Sequence, residues 1–274
     1  MVFTIPNTDV PQKDADRAAV VAVTSRAVFE LDESDDVCRL GVAHPLLQAL
    51  QRVNECLLEK NPNESLLFDV ILMISDSHNN NSRGPASLAV PGITVMGRQL
   101  KSQSGLQVSK FCFCSEDNLV EGLLQNQVHL FLTTDINEVQ RVSHKGVLSG
   151  LLDQEQTFCP SDQLRVMICG DAILQPNSRQ QYLQKLHIVP LQSFLAHIGE
   201  MRQRFDFFNA PLAIVLVTPH GGRDSCSSAL KRLRSHGVNV DEAYCLAGAP
   251  RGPIMSVLRP HFLLNDGVDS LEEL

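Results

Sequence analysis

An α/β fold built mainly on parallel strands is what this sequence predicts, and three observations predict it. Short apolar, β-branched runs alternate with amphipathic stretches along the 274 residues, as parallel strands and crossover helices require. A polar or glycine-bearing turn follows directly on several of these runs, as in Cys169-Gly-Asp171, Thr218-Pro-His-Gly-Gly222 and Gly248-Ala-Pro-Arg251. Beyond residue 160 the alternation is sharpest, with spacings that fit right-handed crossovers.

Taken in order, residues 1–16 mix Pro6, Pro11 and acidic positions without apolar periodicity, and read as a loose, disordered tail. Ala18 to Thr24 is a β-branched run and predicts a strand. Leu46, Leu47, Leu50, Val53 and Leu57 recur at helical spacing and predict a helix over 44–59, followed by a buried strand from Phe68 to Ile74. The polar, turn-rich segment 75–85 follows directly on that strand, where α/β sheets place binding loops, although a plain surface loop has the same composition. Strands are expected at 93–96, 110–114 and 128–133, and helices over 116–125 and 137–145. Strands at 164–168, 212–217, 243–247 and 261–264 then alternate with helices at 191–205, 225–236 and 253–258. The helix from Ser225 has Asp224 or Ser225 as N-cap, Lys231, Arg232 and Arg234 in its last turns and Gly237 to stop it. No internal repeat is visible. The chain divides into an N-terminal α/β portion, 17–157, and a C-terminal core, 158–274.

Composition excludes some partners. A net charge of −8 argues against a broad nucleic-acid face, while leaving room for a local anion pocket. No run approaches the roughly 18 apolar residues of a membrane span, and the first residues lack a signal-peptide layout, so a cytoplasmic protein is expected. The eight cysteines are scattered, several of them in apolar strands, and read as reduced. Cys112 and Cys114 share one strand face and read as core, because a metal site needs further ligands nearby. His78, His144, His220, His236 and His261 have no metal-like spacing.

In such a sheet the residues just after each strand share one crevice: Cys169-Gly-Asp171, Thr218, Gly248 to Arg251, and Asn265-Asp266. The Gly221-Gly222 turn, between a strand and a helix, can offer backbone N–H groups to an anion. These four positions, in this order, resemble the motif sites of the haloacid-dehalogenase phosphatases. The flanking Leu164-Arg-Val, Gly170-Asp-Ala, Val217-Thr218, Leu246-Ala-Gly-Ala-Pro-Arg-Gly-Pro253 and Arg259-Pro-His261 resemble the cytosolic 5′-nucleotidase type I family more closely. Ala22-Val-Thr-Ser-Arg-Ala-Val-Phe29 and Phe68-Asp-Val-Ile-Leu-Met73 agree more loosely, and the resemblance covers most of 18–267.

The resemblance implies a Rossmann-like haloacid-dehalogenase core and a Mg²⁺-dependent hydrolase of nucleoside 5′-monophosphates acting through a phospho-aspartate. An attacking carboxylate must be anionic at neutral pH, hold the cation and form an acyl phosphate that water cleaves. A second acid moves the proton, and a hydroxyl and a cation neutralise the phosphoryl oxygens. Laid on this chain, Asp171 matches the acid/base and Thr218 the hydroxyl. Cys169 stands at the nucleophile position, Arg251 at the lysine position, and Asn265 at the first acid of the metal pair, leaving Asp266 and the Asp171 backbone carbonyl as metal donors. A free thiol, with a pKa of about 8.5, is mostly neutral at pH 7 and a poor Mg²⁺ ligand. The expected function is therefore a weak or inactive nucleotidase that retains nucleotide or phosphate binding through Thr218, Arg251, Gly221 and Gly222, with Mg²⁺ binding weakened. A working Mg²⁺-dependent nucleotidase recruiting Asp266 or Asp269, and a pure interaction protein, are the alternatives; an oligomer is compatible with either. The resemblance also implies a further helix and strand beyond Leu274.

Overall fold

The computed structural model describes residues 1–31, 38–75, 106–152, 162–174, 181–206, 208–219 and 222–264. The strand expected at 93–96 and most of the 75–85 loop lie outside the described residues. As expected, the fold is α/β with mainly parallel strands, arranged in a six-stranded and a four-stranded sheet.

The six-stranded sheet contains β1 (Phe3–Pro6), β2 (Ala19–Thr24), β5 (Phe68–Ser75), β6 (Lys110–Cys114), β7 (Leu130–Thr133) and β8 (Ser149–Leu151). Their order is β1-β6-β5-β2-β7-β8, parallel throughout except where β1 meets β6. Every residue of β2 is buried, which is why that run is continuously apolar and does not alternate. Its helices are α1 (Ser25–Val28), α2 (His44–Lys60), α3 (Leu119–Gln125) and α4 (Ile136–Ser143), and Phe29–Leu31 (β3) and Cys38–Leu40 (β4) pair in a small antiparallel ribbon. Asn54 ties α2 to β5 by donating to the Phe68 carbonyl at 2.8 Å and accepting from the Phe68 amide at 2.7 Å.

The N-terminal stretch is a correction. Residues 3–6, read as part of a disordered tail, form the antiparallel edge strand β1. Phe3 stacks on Phe113 with ring centroids 4.8 Å apart, and the Asn7 side chain donates to the Val108 carbonyl at 2.8 Å. Phe3 and Ile5 are too few apolar positions to show a period; their partner strand lies more than 100 residues away in sequence.

The four-stranded sheet contains β9 (Leu164–Cys169), β10 (Leu212–Thr218), β11 (Glu242–Cys245) and β12 (Phe262–Leu264), in the all-parallel order β11-β10-β9-β12. Its helices are α5 (Gln181–Gln203), α6 (Gly222–Ser235) and α7 (Gly252–Leu258). Helix α5 starts ten residues earlier than the periodicity suggested and runs through Pro190. A proline removes one helical bond, and here the turns after it are anchored by buried Leu191, Phe194, Leu195, Ile198 and Met201. Helix α6 starts at Gly222, whose φ of +62° is left-handed, and not at Ser225.

Without any repeat in the sequence, the two sheets share one topology. Numbered by chain order, the parallel strands of both sheets run 3-2-1-4, with β8 as a fifth in the first. The packing is reciprocal: α2, the first crossover of one sheet, touches β9, and α5, the first crossover of the other, touches β2. One core therefore joins Val21, Leu47, Leu50 and Val53 to Ile168, Phe194, Ile198 and Ile214.

The end of α5 is held by a buried ion pair. Arg202 donates from Nε and Nη2 to Asp241 Oδ1 at 2.9 and 2.5 Å and from Nη1 to the Phe205 carbonyl at 3.2 Å, while Asp241 Oδ2 accepts the Ile214 amide at 2.8 Å. Arg202→Met strands Asp241 and lowers stability by about 3–5 kcal/mol in urea unfolding, whereas Arg17→Ala, which breaks the exposed pair with Glu200, costs less than about 1 kcal/mol. Equal effects would show that burial does not set the worth of these pairs.

His261 accepts the Arg165 amide on Nδ1 at 3.0 Å, and burial, then the Arg165 charge, pushes its pKa down to about 4 from 6.5. The unfolded chain takes up this proton first, so stability is undiminished above about pH 6.5 and falls as the pH drops towards about 4. His261→Asn, whose carbonyl oxygen can accept the same amide, flattens the midpoint-versus-pH profile across that window. An unchanged slope would place the acid sensitivity elsewhere.

Candidate active site

Parallel pairing brings strand ends to a common crest, and register decides which residues meet there. Cys169, the last residue of β9, lies opposite Val217, so Thr218 stands one residue further along the neighbouring strand. Both are buried, Cys169 at 2% exposure and Thr218 at 0%. On the other side of β9, β12 ends with Leu264 opposite Ile168, at the same crest.

Beyond Cys169 the chain makes a single 3-10 turn, Gly170–Ala172, closed by the Ile173 and Leu174 amides donating to the Gly170 carbonyl at 3.1 and 3.0 Å. Asp171 sits in this turn, partly exposed. The turn lies directly on Thr218: a Cβ at Gly170 would come within 2.4 Å of Thr218 Cγ2. Glycine is required at this position by that approach alone, because its φ is not left-handed.

Thr218 donates its hydroxyl to the Tyr244 carbonyl at 3.3 Å, and its own carbonyl accepts the Leu246 amide at 2.9 Å. Gly248 then donates to the Pro219 carbonyl at 2.7 Å. Ala247 and Gly248 take left-handed φ values of +51° and +91°, which turns the chain back over the end of β10 before Arg251 opens α7. Arg251 is 8% exposed. An ideal Cβ at Gly222 would meet nothing within 4 Å, so the start of α6 faces open space.

Cys169, Asp171 and Thr218 thus gather at one crest, and two backbone bonds draw the segment leading to Arg251 onto it. Gly221, Asn265 and Asp266 lie outside the described residues. Sequence reasoning missed the part played by Tyr244, whose carbonyl holds the Thr218 hydroxyl; a backbone acceptor leaves no mark in residue type. The arrangement provides one carboxylate, a guanidinium on an adjoining loop and a hydroxyl whose proton must leave the Tyr244 carbonyl before it can meet a tetrahedral oxyanion, and the carboxylate can move one proton. Among the described residues the candidate donors for a cation are the carboxylate and backbone carbonyl of Asp171, hard oxygens of the kind Mg²⁺ takes, and the thiol of Cys169, which is too soft to suit it.

Residues 34–188 and 175–274 match the family model described as 5′-nucleotidase. Among curated proteins the chain is similar to the Homo sapiens protein named Cytosolic 5′-nucleotidase 1B, 27% identical over 268 residues, which cover 89% of this chain and 42% of that protein. The chain therefore spans about two fifths of the length of that relative. No helix among the described residues is long and apolar enough to cross a membrane.

Gly170→Ala should force the Thr218 side chain aside and lower stability by about 1–3 kcal/mol. Adding Thr218→Ser, which removes Cγ2 and keeps the hydroxyl, should recover at least half of that loss. Strict additivity of the two changes would mean that the turn and Thr218 do not press on each other.

Proposed function

The chain belongs to the 5′-nucleotidase family, and from that premise we propose that it is a nucleotidase scaffold with weak or absent turnover that still binds a nucleoside 5′-monophosphate or free phosphate. The observation that carries this reading is Cys169: a buried thiol ends the central strand β9 where the resemblance puts the attacking carboxylate, with Asp171 two residues on. A thiol takes over neither the hard-cation role nor the acyl-phosphate chemistry of that carboxylate. Loss of a nucleophile that works as part of a catalytic unit costs on the order of 10⁴–10⁶ in kcat.

What supports retained binding is the part of the crest that does not depend on the nucleophile. Thr218 offers a hydroxyl, Arg251 a permanent positive charge with several donors, and the Gly222 end of α6 the positive pole of a 14-residue helix. Asp171 remains to hold or pass a proton at the leaving oxygen. With thiol and amide in place of two carboxylates, Mg²⁺ binding is weak in this reading, and no step is assigned to the ion. Cytoplasmic location is part of the same proposal, supported by the name of the relative and by Cys56, Cys112, Cys114, Cys169, Cys226 and Cys245, none of which forms a disulfide among the described residues.

Phosphate release from AMP with Mg²⁺ should be lower in the natural chain than in the Cys169→Asp/Asn265→Asp variant by about 10⁴-fold or more. AMP should still raise the melting temperature of the natural chain, and Thr218→Val should reduce that shift. Hydrolysis by the natural chain at an ordinary enzyme rate, abolished by Asp171→Asn, would overturn the proposal.

A further inference from the structure

We propose that the crest of the six-stranded sheet is a second binding crevice, in which Arg26 and the hydroxyls of Ser25, Ser75 and Ser115 receive an acceptor-rich oxyanion of the phosphate class. The place is set by topology. From β2 the chain builds β5 and β6 on one side and then crosses to β7 and β8 on the other, so the strand order reverses at the β2–β7 boundary, where open parallel sheets form their ligand crevice. The other sheet does the same around β9.

The local structure repeats as well. Thr24 ends β2 and a one-turn helix carries Ser25-Arg26-Ala27-Val28; Cys169 ends β9 and a one-turn 3-10 helix carries Gly170-Asp171-Ala172. Ser75 closes β5 as Thr218 closes β10. Arg26 thus occupies the place in its turn that Asp171 holds in the other, and the sign of the charge is reversed.

A shallow cavity of about 10 Å³ lies here, walled by Ser25, Arg26, Ser75, Ser115 and Glu138 among others, so a bound oxyanion sits at its mouth with part of its bulk in solvent. Its hydrogen-bonding groups are unbalanced. Glu138, almost fully buried, has both oxygens engaged, Oε1 by Arg26 Nη2 at 2.5 Å and Oε2 by the Thr133 hydroxyl at 2.6 Å. Asp135, 4.0 Å from Arg26, spends Oδ1 on the Asn137 amide that it caps. The Arg26 side chain is still 47% exposed, with Nε and Nη1 making no hydrogen bond among the described residues. Ser75 Oγ is buried without a partner there, and the Ser25 and Ser115 hydroxyls make no hydrogen bond among those residues. The surplus is in donors beside a guanidinium, which suits a ligand rich in acceptors. Among the described residues three carboxylates stand near Arg26, Glu138 in the wall, Asp135 beside it and Glu116 on the exposed rim; Arg26 neutralises Glu138, and the other two oppose an anion, so the unused donors and not net charge carry binding here.

The probe is inorganic phosphate, added to the full chain against chloride at matched ionic strength, with thermal shift as the readout. Thr218→Val weakens the crest of the four-stranded sheet without abolishing it, so the part of the surviving shift that Ser75→Ala removes is the measure of the second crevice. Adding Ser75→Ala should raise the apparent Kd of that shift about tenfold, the worth of one hydrogen bond to an ion, while not lowering the unliganded melting temperature, because a buried hydroxyl without a partner among the described residues costs stability and its loss relieves that cost. Arg26→Lys, which keeps the charge but not the fork of donors, should fall between. In the otherwise natural chain, Ser75→Ala alone should also reduce the response, which keeps the test open if Thr218→Val does not fold. No phosphate response in the Thr218→Val chain, or one that Ser75→Ala leaves intact in either background, would overturn the proposal.

Discussion

A parallel sheet must be covered on both faces, and in this chain two helices cover the facing sides of both sheets together, while α3 and α4 back one sheet and α7 the other. Helix α2 lies on β5 of its own sheet and reaches β9, while α5 packs on β2 and meets β12 through the Phe194–Phe262 ring pair. The core is therefore held in common, from Val21 and Leu72 on one side to Ile168 and Ile214 on the other. Neither crest is independent of this packing: the strand ends that carry Thr24, Cys169 and Thr218 are placed by apolar contacts well below them. The Arg202–Asp241 pair closes the arrangement at the far end of α5, where a charge buried without its partner would be costly.

On that frame, the proposed loss of turnover turns on residues that packing tolerates in more than one chemical form. A cysteine and an aspartate occupy similar volumes at the end of a strand, and Cys169 is as well buried as the apolar residues before it. What changes is charge and hardness. In the proposed reading a thiol at the end of β9 weakens the hold on a divalent cation, while a hydroxyl and an arginine still favour an anion. Binding and turnover can thus separate without any change of fold.

Much of the architecture was legible in the sequence because buried parallel strands are continuous apolar runs. The runs at 68–74, 110–114, 164–168 and 212–217 all lie in observed strands, and the helix over 44–59 matches α2 to within a residue at its end. The misses have a common cause in long-range contact. β1 was unreadable because its stability comes from Phe113 and Val108; the start of α5 was misplaced because a proline is a local signal and the burial of its helix is not. The duplicated topology was hidden because strand order is not written in residue type.

By itself, the sequence determined the fold class, the position of most strands and the identities at the candidate crest: Cys169, Asp171, Thr218 and Arg251 in that order. Those are properties of local periodicity and of motif spacing. Only the tertiary structure decided that the Gly170 turn presses on Thr218, that backbone bonds from Leu246 and Gly248 draw the approach to Arg251 onto the end of β10, and that a second crest exists around Arg26. The physical reason is that register and reciprocal packing are set by partners distant in sequence. A residue such as Ser75 acquires its buried hydroxyl, without a partner among the described residues, only when the surrounding strand ends have closed over it.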